Sequence, residues 1–341
     1  MPRAIERIVL RAPNWIGDAV LSLPAISALR AHFPEAELTV VAHRRLRAIF
    51  ELAPEIDNVV EFEPPERGWG LVSLHRFSHR LRDGGYDLGL VFPLSFSSAL
   101  MLFWGGARER VGYSAEGRWF LLTKRIALPR DYRERHLVDS YLELVKVLGI
   151  AVDRMTPSLV VGEAVLRQAD RLLRDFALTP PLIGLAPGAT YGPAKRWQLR
   201  KFGELAQRLV RESSARVVLL GNTEEAMMGG LGSQGENILD LMGKTSLGEA
   251  IGVLKNCSLF ISNDSGLMHL AAALGIPVVA IFGSTSPSWT CPLGEGHTVI
   301  KKHLSCSPCF RRECPLATYE CLESIEVDEV FAATVQLLNS L

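Results

Sequence analysis

Short apolar runs alternate with amphipathic stretches along most of this chain, and this alternation limits what it can fold into. In the first half the runs are RIVLRA (7–12), ELTVVAH (37–43), NVVEFE (58–63) and DLGLVFP (87–93). In the second half they are PLIGLAPG (181–188), ARVVLLGN (215–222), NILDL (237–241), SLFISND (258–264) and IPVVAIFG (276–283). Strands that are apolar on both faces and separated by helices are typical of a parallel sheet covered by helices. The pattern predicts an α/β chain with two such sheets.

The two series of strands predict two Rossmann-like domains that face each other across a cleft. A chain of 341 residues is long enough for both. A join in the region 150–180 divides a first domain, 1–165, from a second, 175–325. A last helix, 326–341, follows the final strand, and we expect it to pack back on the first domain.

Charge and hydropathy exclude several classes of protein. Lys plus Arg and Asp plus Glu both number 37, so no overall charge favours nucleic acid as a partner. No apolar run approaches the roughly 20 residues that cross a bilayer, and the start of the chain lacks a signal-peptide pattern. We therefore expect a cytoplasmic protein. One stretch, 108–135, carries eight Lys/Arg against four acids, which suits either a solvated face or an anion site.

Ligands of open α/β sheets bind beyond the carboxyl ends of the strands, and three turns carry unusual residues there. The first is APNWIGDAVLSLP (12–24), where Gly17 allows close approach and Asp18 stands at the start of a helix. An Asp at this place is either a helix cap or a base that accepts a proton from an alcohol. Both interpretations remain open from the residue alone.

The second turn is APGATYGPAKRW (186–197). Gly188, Thr190 and Gly192 form a small hydroxyl-bearing loop, and Lys195 follows it just before a helix. Free backbone N–H groups beside a fixed cation suit a phosphate or diphosphate. A solvated loop with a surface lysine is the alternative.

The third turn lies in ISNDSGLMHLAAALGIPVVAIFG (261–283). Asp264 and Ser265 offer oxygens, Gly266 permits close approach, and the helix that begins here favours an anion at its positive end. His269 lies one turn further in, where a histidine is either a core residue or a ligand contact.

Four of the six cysteines crowd into CSPCFRRECPLATYEC (306–321), with C-x2-C-x4-C-x6-C spacing. A structural zinc site usually takes its four ligands as paired C-x2-C units, and only one such pair is present. We therefore favour reduced structural thiols over zinc ligands.

Together these motifs resemble the ADP-heptose:lipopolysaccharide heptosyltransferases of glycosyltransferase family 9, nearer the heptosyltransferase II type. The resemblance rests on NWIGDAVLSLPA, APGATYGPAKRW, SNDSGLMHLAAALGIPVVAIFGSTSP and CSPCFRRECPLATYECL, and it runs from about residue 7 to 325. It implies a GT-B fold whose second domain binds the nucleotide. It also implies inverting, metal-independent transfer of L-glycero-D-manno-heptose from ADP-heptose to the lipopolysaccharide inner core, with no cofactor.

The resemblance also implies roles for individual residues. Asp18 matches the proposed catalytic base, and Lys195 matches the lysine that neutralises the diphosphate. The residues expected to bind the donor are Gly188, Thr190, Lys195, Glu225, Asp264, Ser265, Gly266 and His269. Glu224 competes with Glu225 for the role of a family glutamate.

The acceptor is a lipid-linked sugar that must reach Asp18, so we expect its contacts in the first domain. They are Ser95, Ser97, Arg118, Lys124 and Arg125. We also expect peripheral contact of the protein with the inner face of the cytoplasmic membrane. A family 9 enzyme with another acceptor, such as another core heptose or a protein hydroxyl, remains an alternative, as does a nucleotide-binding protein without turnover. A nicotinamide dehydrogenase is disfavoured because G-x-G-x-x-G is absent.

Overall fold

The computed structural model of the chain describes residues 4–63, 70–174, 176, 181–224 and 236–340. It divides into two compact units, Met1–Ser158 and Leu159–Leu341. Each unit contains one sheet of six parallel strands. The predicted α/β class with two Rossmann-like units is confirmed.

The first sheet has the order β3-β2-β1-β4-β5-β6. Its strands are β1 Arg7–Arg11, β2 Glu37–His43, β3 Asn58–Phe62, β4 Leu88–Val91, β5 Glu109–Tyr113 and β6 Lys124–Ile126. The order reverses between β1 and β4, which are neighbours. Such a reversal opens a crevice at the carboxyl ends of the two strands.

The second sheet repeats this topology in the order β12-β11-β10-β7-β8-β9. Its strands are β7 Leu182–Ala186, β8 Arg216–Leu219, β9 Ile238–Asp240, β10 Leu259–Asn263, β11 Val278–Phe282 and β12 Thr298–Lys301. Here the order reverses between β7 and β10. All residues of β7, β10 and β11 are buried, which explains their continuous apolar runs.

Helices connect the strands. In the first unit they are α1 Ile16–His32, α2 Arg47–Glu51, α3 Leu71–Leu81, α4 Phe96–Trp104 and α5 Leu137–Lys146. In the second they are α6 Glu163–Leu173, α7 Leu199–Ser213, α8 Leu247–Lys255, α9 Gly266–Ala273, α10 Pro287–Thr290, α11 Glu320–Glu323 and α12 Val327–Leu338. On α7, Phe202, Leu205 and Leu209 recur at helical spacing and are buried in the core of the second unit.

Each of the nine apolar runs forms a strand, but β5, β6 and β12 were not predicted from the sequence. They are edge or next-to-edge strands with sequences ERVGY, KRI and TVIK. Their charged residues are tolerated because an outer strand is partly exposed, and charge at an edge discourages pairing with other chains. The basic stretch 108–135 therefore contains two strands as well as polar loops.

The ends of the second unit differ from the expected bounds. The division falls after Ser158, and α6 packs against α8 so closely that a Cβ on Gly252 would lie 2.8 Å from the Val165 carbonyl oxygen. The last helix, α12, packs on α7 and adds Val327 and Val330 to the core of the second unit. Packing of this helix on the first domain stays a prediction.

Among the described residues, every helix is too short or too polar to cross a membrane.

A substitution at Ile325 measures how much the last segment of the chain contributes to the stability of the second unit. Its side chain is fully buried, and its carbonyl oxygen accepts hydrogen bonds from Trp197 Nε1 and Lys201 Nζ, both at 2.9 Å. Ile325→Ala should lower the free energy of unfolding by about 2–5 kcal/mol, because it removes buried methylene groups and leaves a cavity. Urea denaturation followed by circular dichroism measures this.

The exposed Gln336 of α12 supplies the control. Gln336→Ala should change the free energy of unfolding by less than about 0.5 kcal/mol. Equal stability of Ile325→Ala and the parent would contradict the packing of this segment into the core.

Candidate functional site

The reversal of strand order in the first sheet places the predicted turn of Asp18 beside the turn that carries Ser95. The turn after β1 leads into α1 and carries Asp18, and the turn after β4 leads into α4 and carries Ser95. Carboxyl ends of neighbouring parallel strands meet at one edge of a sheet. The candidate base and the candidate acceptor contacts therefore share the switch point of the first unit.

Asp18 lies in the first turn of α1, whose N-cap is Trp15. Its interpretation as the helix cap is therefore wrong, although its charge is favourable near the helix N-terminus. The charge also acts on two phenols. Burial, with a smaller contribution from Asp18, raises the pKa of Tyr132 to about 12 and that of Tyr141 well above its usual value. Asp18 therefore lies near hydroxyl groups that stay protonated at neutral pH.

Arg11, at the end of β1, is a buried cation that sequence reasoning missed. Its Nη1 donates to the carbonyl oxygen of Ala12, and its Nη2 donates to Asn14 Oδ1 at 2.6 Å. Its guanidinium lies 4.8 Å from the centre of the Phe62 ring. Burial lowers the pKa of Arg11 to about 10, so it remains charged at neutral pH. The side chain fixes the turn that leads to Asp18.

Arg118 also differs from its predicted role. The side chain is fully buried, Nε donates to the Tyr113 carbonyl oxygen at 2.8 Å, and Nη1 donates to the carbonyl oxygens of Pro93 and Ser95. The expectation that it meets acceptor phosphates is wrong, because a buried guanidinium held by carbonyl groups is not presented to a ligand. Arg118 instead fixes the turn after β4.

The remaining acceptor candidates are more exposed. Ser95 Oγ lies 2.7 Å from Ser98 Oγ, and Ser97 Oγ lies 3.4 Å from Ser95 Oγ. Lys124 pairs with Glu109 at 2.8 Å, which offsets its charge. Arg125 is exposed, with its guanidinium 5.5 Å from the Trp119 ring centre. These four residues stay predictions for acceptor binding.

In the second unit, Asn263 joins the two turns at the switch point. Its Nδ2 donates to the Pro187 carbonyl oxygen at 2.7 Å, and its Oδ1 accepts from the Trp197 backbone N–H at 3.0 Å. The amide of one buried side chain therefore ties the end of β10 to both ends of the loop that contains Lys195. Asn263 was not singled out from the sequence.

Lys195, which is partly exposed, forms an ion pair with the buried Asp264. Lys195 Nζ lies 2.5 Å from Asp264 Oδ2, although the two residues are 69 positions apart. The same carboxylate oxygen accepts from Thr285 Oγ1 at 2.5 Å and from Thr290 Oγ1 at 3.3 Å. The structure thus brings two predicted residues together and adds two threonines from beyond β11. Charge-assisted hydrogen bonds of this kind hold the ammonium group in one place.

The turn after β10 leaves a helix N-terminus without a side-chain cap. Ser265 is the N-cap of α9, but its hydroxyl lies 2.8 Å from Ser262 Oγ and makes no capping bond. Gly266 begins the helix, and His269 is buried one turn further in. The orphan N–H groups of a first helical turn favour an anion. A donor contact by His269 stays a prediction.

The loop between β7 and α7 contains the other donor candidates. Gly188 is buried and lines a cavity of about 250 Å³ together with Arg196 and Tyr319. Thr190 is exposed. Glu225 lies outside the described residues, whereas Glu224 is described and exposed.

The cysteine segment packs against this loop. A Cβ on Gly192 would lie 2.6 Å from the Arg312 carbonyl oxygen, so only glycine allows this approach. Cys306, Cys309, Cys314 and Cys321 are free thiols that line one small cavity. Backbone N–H groups of Tyr319, Leu316 and Thr318 lower the pKa of Cys314, whereas burial raises that of Cys321 to about 11. Among the described residues, no group of three or more His, Cys, Asp or Glu has metal-binding geometry.

Two Rossmann-like units, one with a carboxylate at its switch point and the other with a lysine beside an uncapped helix, are the features that the resemblance to GT-B glycosyltransferases predicts. Residues 74–320 match glycosyltransferase family 9 (heptosyltransferase). The chain belongs to this family and is an enzyme of the glycosyltransferase class.

Curated relatives and solved structures agree with this assignment. Lipopolysaccharide heptosyltransferase 2 of Salmonella typhimurium is 34% identical over 313 residues, which cover 86% of this chain and 88% of that protein. The structure of Escherichia coli ADP-heptose lipopolysaccharide heptosyltransferase II has a TM-score of 0.84 and 28% identity, over 98% of this chain and 99% of that one. A family 9 glycosyl transferase from Veillonella parvula has a TM-score of 0.88 and 24% identity, over 100% and 99%. The GT-B fold class is confirmed.

Thr285 is expected to position Lys195 through Asp264. Thr285→Val removes a hydroxyl that donates to a buried carboxylate, and a hydrogen bond to a charged group contributes about 1.5–3 kcal/mol. We expect kcat/KM for glycosyl transfer to fall about 10-fold or more, and Thr285→Ser to restore most of it. Steady-state kinetics of both variants measure this.

Thr334 supplies a matched control, because it is fully buried and its hydroxyl donates to the Val330 carbonyl oxygen within α12. Thr334→Val should leave kcat/KM close to that of the parent even if it changes stability. Unchanged kinetics in Thr285→Val would show that the threonine does not position the pair.

Proposed function

We propose that this protein transfers L-glycero-D-manno-heptose from ADP-heptose to the inner core of lipopolysaccharide, in the cytoplasm and with inversion at the anomeric carbon. The observation that carries the proposal is the Lys195–Asp264 pair beside the uncapped start of α9, at the switch point of the second sheet. Relatives named lipopolysaccharide heptosyltransferase 2 supply the sugar and acceptor class.

The proposed binding of the donor diphosphate follows from the positive charge of Lys195. An ammonium group has three N–H donors, so Lys195 can keep its bond to Asp264 and also donate to a diphosphate oxygen. The N–H groups of the first turn of α9 supply further positive potential. Charge that develops on the leaving diphosphate is then stabilised by groups already in place, which need no reorganisation during the reaction.

This arrangement supports transfer without a metal ion. A divalent cation in other transferases offsets the charge of the diphosphate. Here a lysine fixed by a buried carboxylate and a helix N-terminus offer the same compensation. Neither group depends on a metal for its position, since Asp264 is held by Lys195, Thr285 and Thr290.

In the proposed acceptor site, Asp18 acts as the base. The acceptor hydroxyl oxygen attacks the anomeric carbon, its proton passes to the Asp18 carboxylate, and the bond from the anomeric carbon to the diphosphate oxygen breaks to release ADP. Ser95 and Ser97 would bind sugar hydroxyls at the adjacent strand end, while Lys124 and Arg125 would meet acidic groups of the core. Arg118 acts indirectly, since it holds the backbone of Ser95.

The direct test is to incubate the protein with ADP-heptose and core-truncated lipopolysaccharide and to measure ADP release, with and without EDTA. We expect release that depends on the acceptor and persists in EDTA, with an inverted linkage in the product. ADP binding without turnover would favour the nucleotide-binding alternative. Turnover only with another acceptor would favour a different family 9 activity, and loss of turnover in EDTA would contradict metal independence.

Asp18→Asn should lower kcat about 100-fold or more while ADP affinity stays unchanged, because the amide cannot accept the proton. Calorimetry with ADP and steady-state kinetics separate the two effects. Asp328→Asn is a matched control, since Asp328 is an exposed acid in the first turn of α12 and loses the same helix interaction. Near-parental kcat in Asp18→Asn would remove it from catalysis.

A further inference from the structure

The first unit carries an exposed group of aromatic side chains beside the acceptor turn. Phe96 is 38% exposed, Phe103 43%, Trp119 55% and Phe120 56%. Phe96 and Phe103 are seven residues apart on α4 and therefore lie on the same side of the helix. The Phe96 and Phe120 ring centres are 6.1 Å apart, and those of Phe120 and Trp119 are 5.8 Å apart. The four rings thus form one surface.

Basic side chains lie among these rings. The Arg125 guanidinium is 5.5 Å from the Trp119 ring centre. That of Arg110 is 5.2 Å from the Phe103 ring centre and is held there by the carbonyl oxygens of Leu121, Ala107 and Arg108, so Arg125 is the more exposed cation. Of the neighbouring acids, Glu109 and Lys124 offset each other's charge, whereas Glu116 accepts a hydrogen bond from the Phe96 backbone N–H and keeps its own. The stretch 108–135 keeps an excess of cations over acids. We call Phe96, Phe103, Trp119, Phe120, Arg110 and Arg125 the aromatic–basic surface.

We propose that the aromatic–basic surface docks on an anionic phospholipid bilayer. Aromatic rings favour the level of the lipid headgroups, and Arg or Lys beside them is attracted to anionic lipids. Pairing with a second copy of this chain is disfavoured, because a symmetric interface would bring two positive patches together. The charge of the surface therefore selects a negatively charged partner.

The aromatic–basic surface lies next to the turn proposed to bind the acceptor, so docking would bring the acceptor to the enzyme; this step rests on the proposed function. Phe96 directly follows Ser95, and Trp119 directly follows Arg118, which holds the Ser95 carbonyl oxygen. A bilayer at this surface would bring the sugars of a lipid-linked acceptor to the turn after β4. The same contact would raise the local concentration of acceptor near Asp18 without any new contact to the sugar.

The test measures binding of the full chain to vesicles without lipopolysaccharide. The probes are vesicles of phosphatidylcholine alone and vesicles with about one third phosphatidylglycerol, separated by flotation. We expect binding only to the anionic vesicles and weaker binding at high salt. Trp119→Ser with Phe120→Ser should lower the partition coefficient about 10-fold or more. Arg125→Gln should lower it about fivefold, and on anionic vesicles only.

A matched control removes exposed apolar groups from the second unit, where Val160 is 62% exposed and Leu316 is 60% exposed. Val160→Ser with Leu316→Ser should bind vesicles as the parent does. Three outcomes would overturn the proposal: no binding of the parent to anionic vesicles, equal binding by the Trp119 and Phe120 variant, or a dimer in sedimentation that this variant abolishes.

A second assay separates this proposal from the proposed function. Transfer to a deacylated, water-soluble core acceptor without vesicles should be the same in the parent and the Trp119 and Phe120 variant. Vesicle binding without any transfer would support the docking surface and contradict the proposed heptosyltransferase function. Transfer without vesicle binding would support the proposed function and contradict the docking surface.

Discussion

The order of strands in the two parallel sheets is the constraint on which the rest of the structure depends. Both sheets reverse their order beside their first strand, between β1 and β4 and between β7 and β10. At each reversal the two flanking connections run to opposite sides of the sheet, so the turns part and leave space for a ligand. Asp18 and Ser95 occupy one such place, and Lys195 and Asp264 occupy the other.

The charged side chains at these turns are stabilised in two ways. In the first unit Arg11 and Arg118 bind backbone carbonyl oxygens, so they stiffen the turns without being presented to a ligand. In the second unit Lys195 is balanced by a carboxylate that two threonines also hold. A buried charge is costly unless it is paired or hydrogen-bonded. The first arrangement fixes the backbone of the turns, whereas the second holds the ammonium group of Lys195 in one place.

The cysteine segment also belongs to this scaffold. It returns from beyond β12 to contact the loop of Lys195, where the Ala194 N–H donates to the Arg312 carbonyl oxygen at 3.0 Å and Gly192 leaves room for the approach. Tyr191 extends the contact by donating from its hydroxyl to the Phe310 carbonyl oxygen at 2.7 Å. A segment late in the chain therefore shapes the turn that carries the site lysine.

The sequence by itself determined the α/β class, nine of the strands and the three polar turns, because the period of apolar residues and the helix-start residues are local properties. Only the tertiary structure decided that Arg118 is buried, that Asp264 holds Lys195, and that Asn263 and Thr285 support the pair. These contacts join residues that are far apart in the chain. The burial of a charge depends on what packs around it, and no local pattern contains that information.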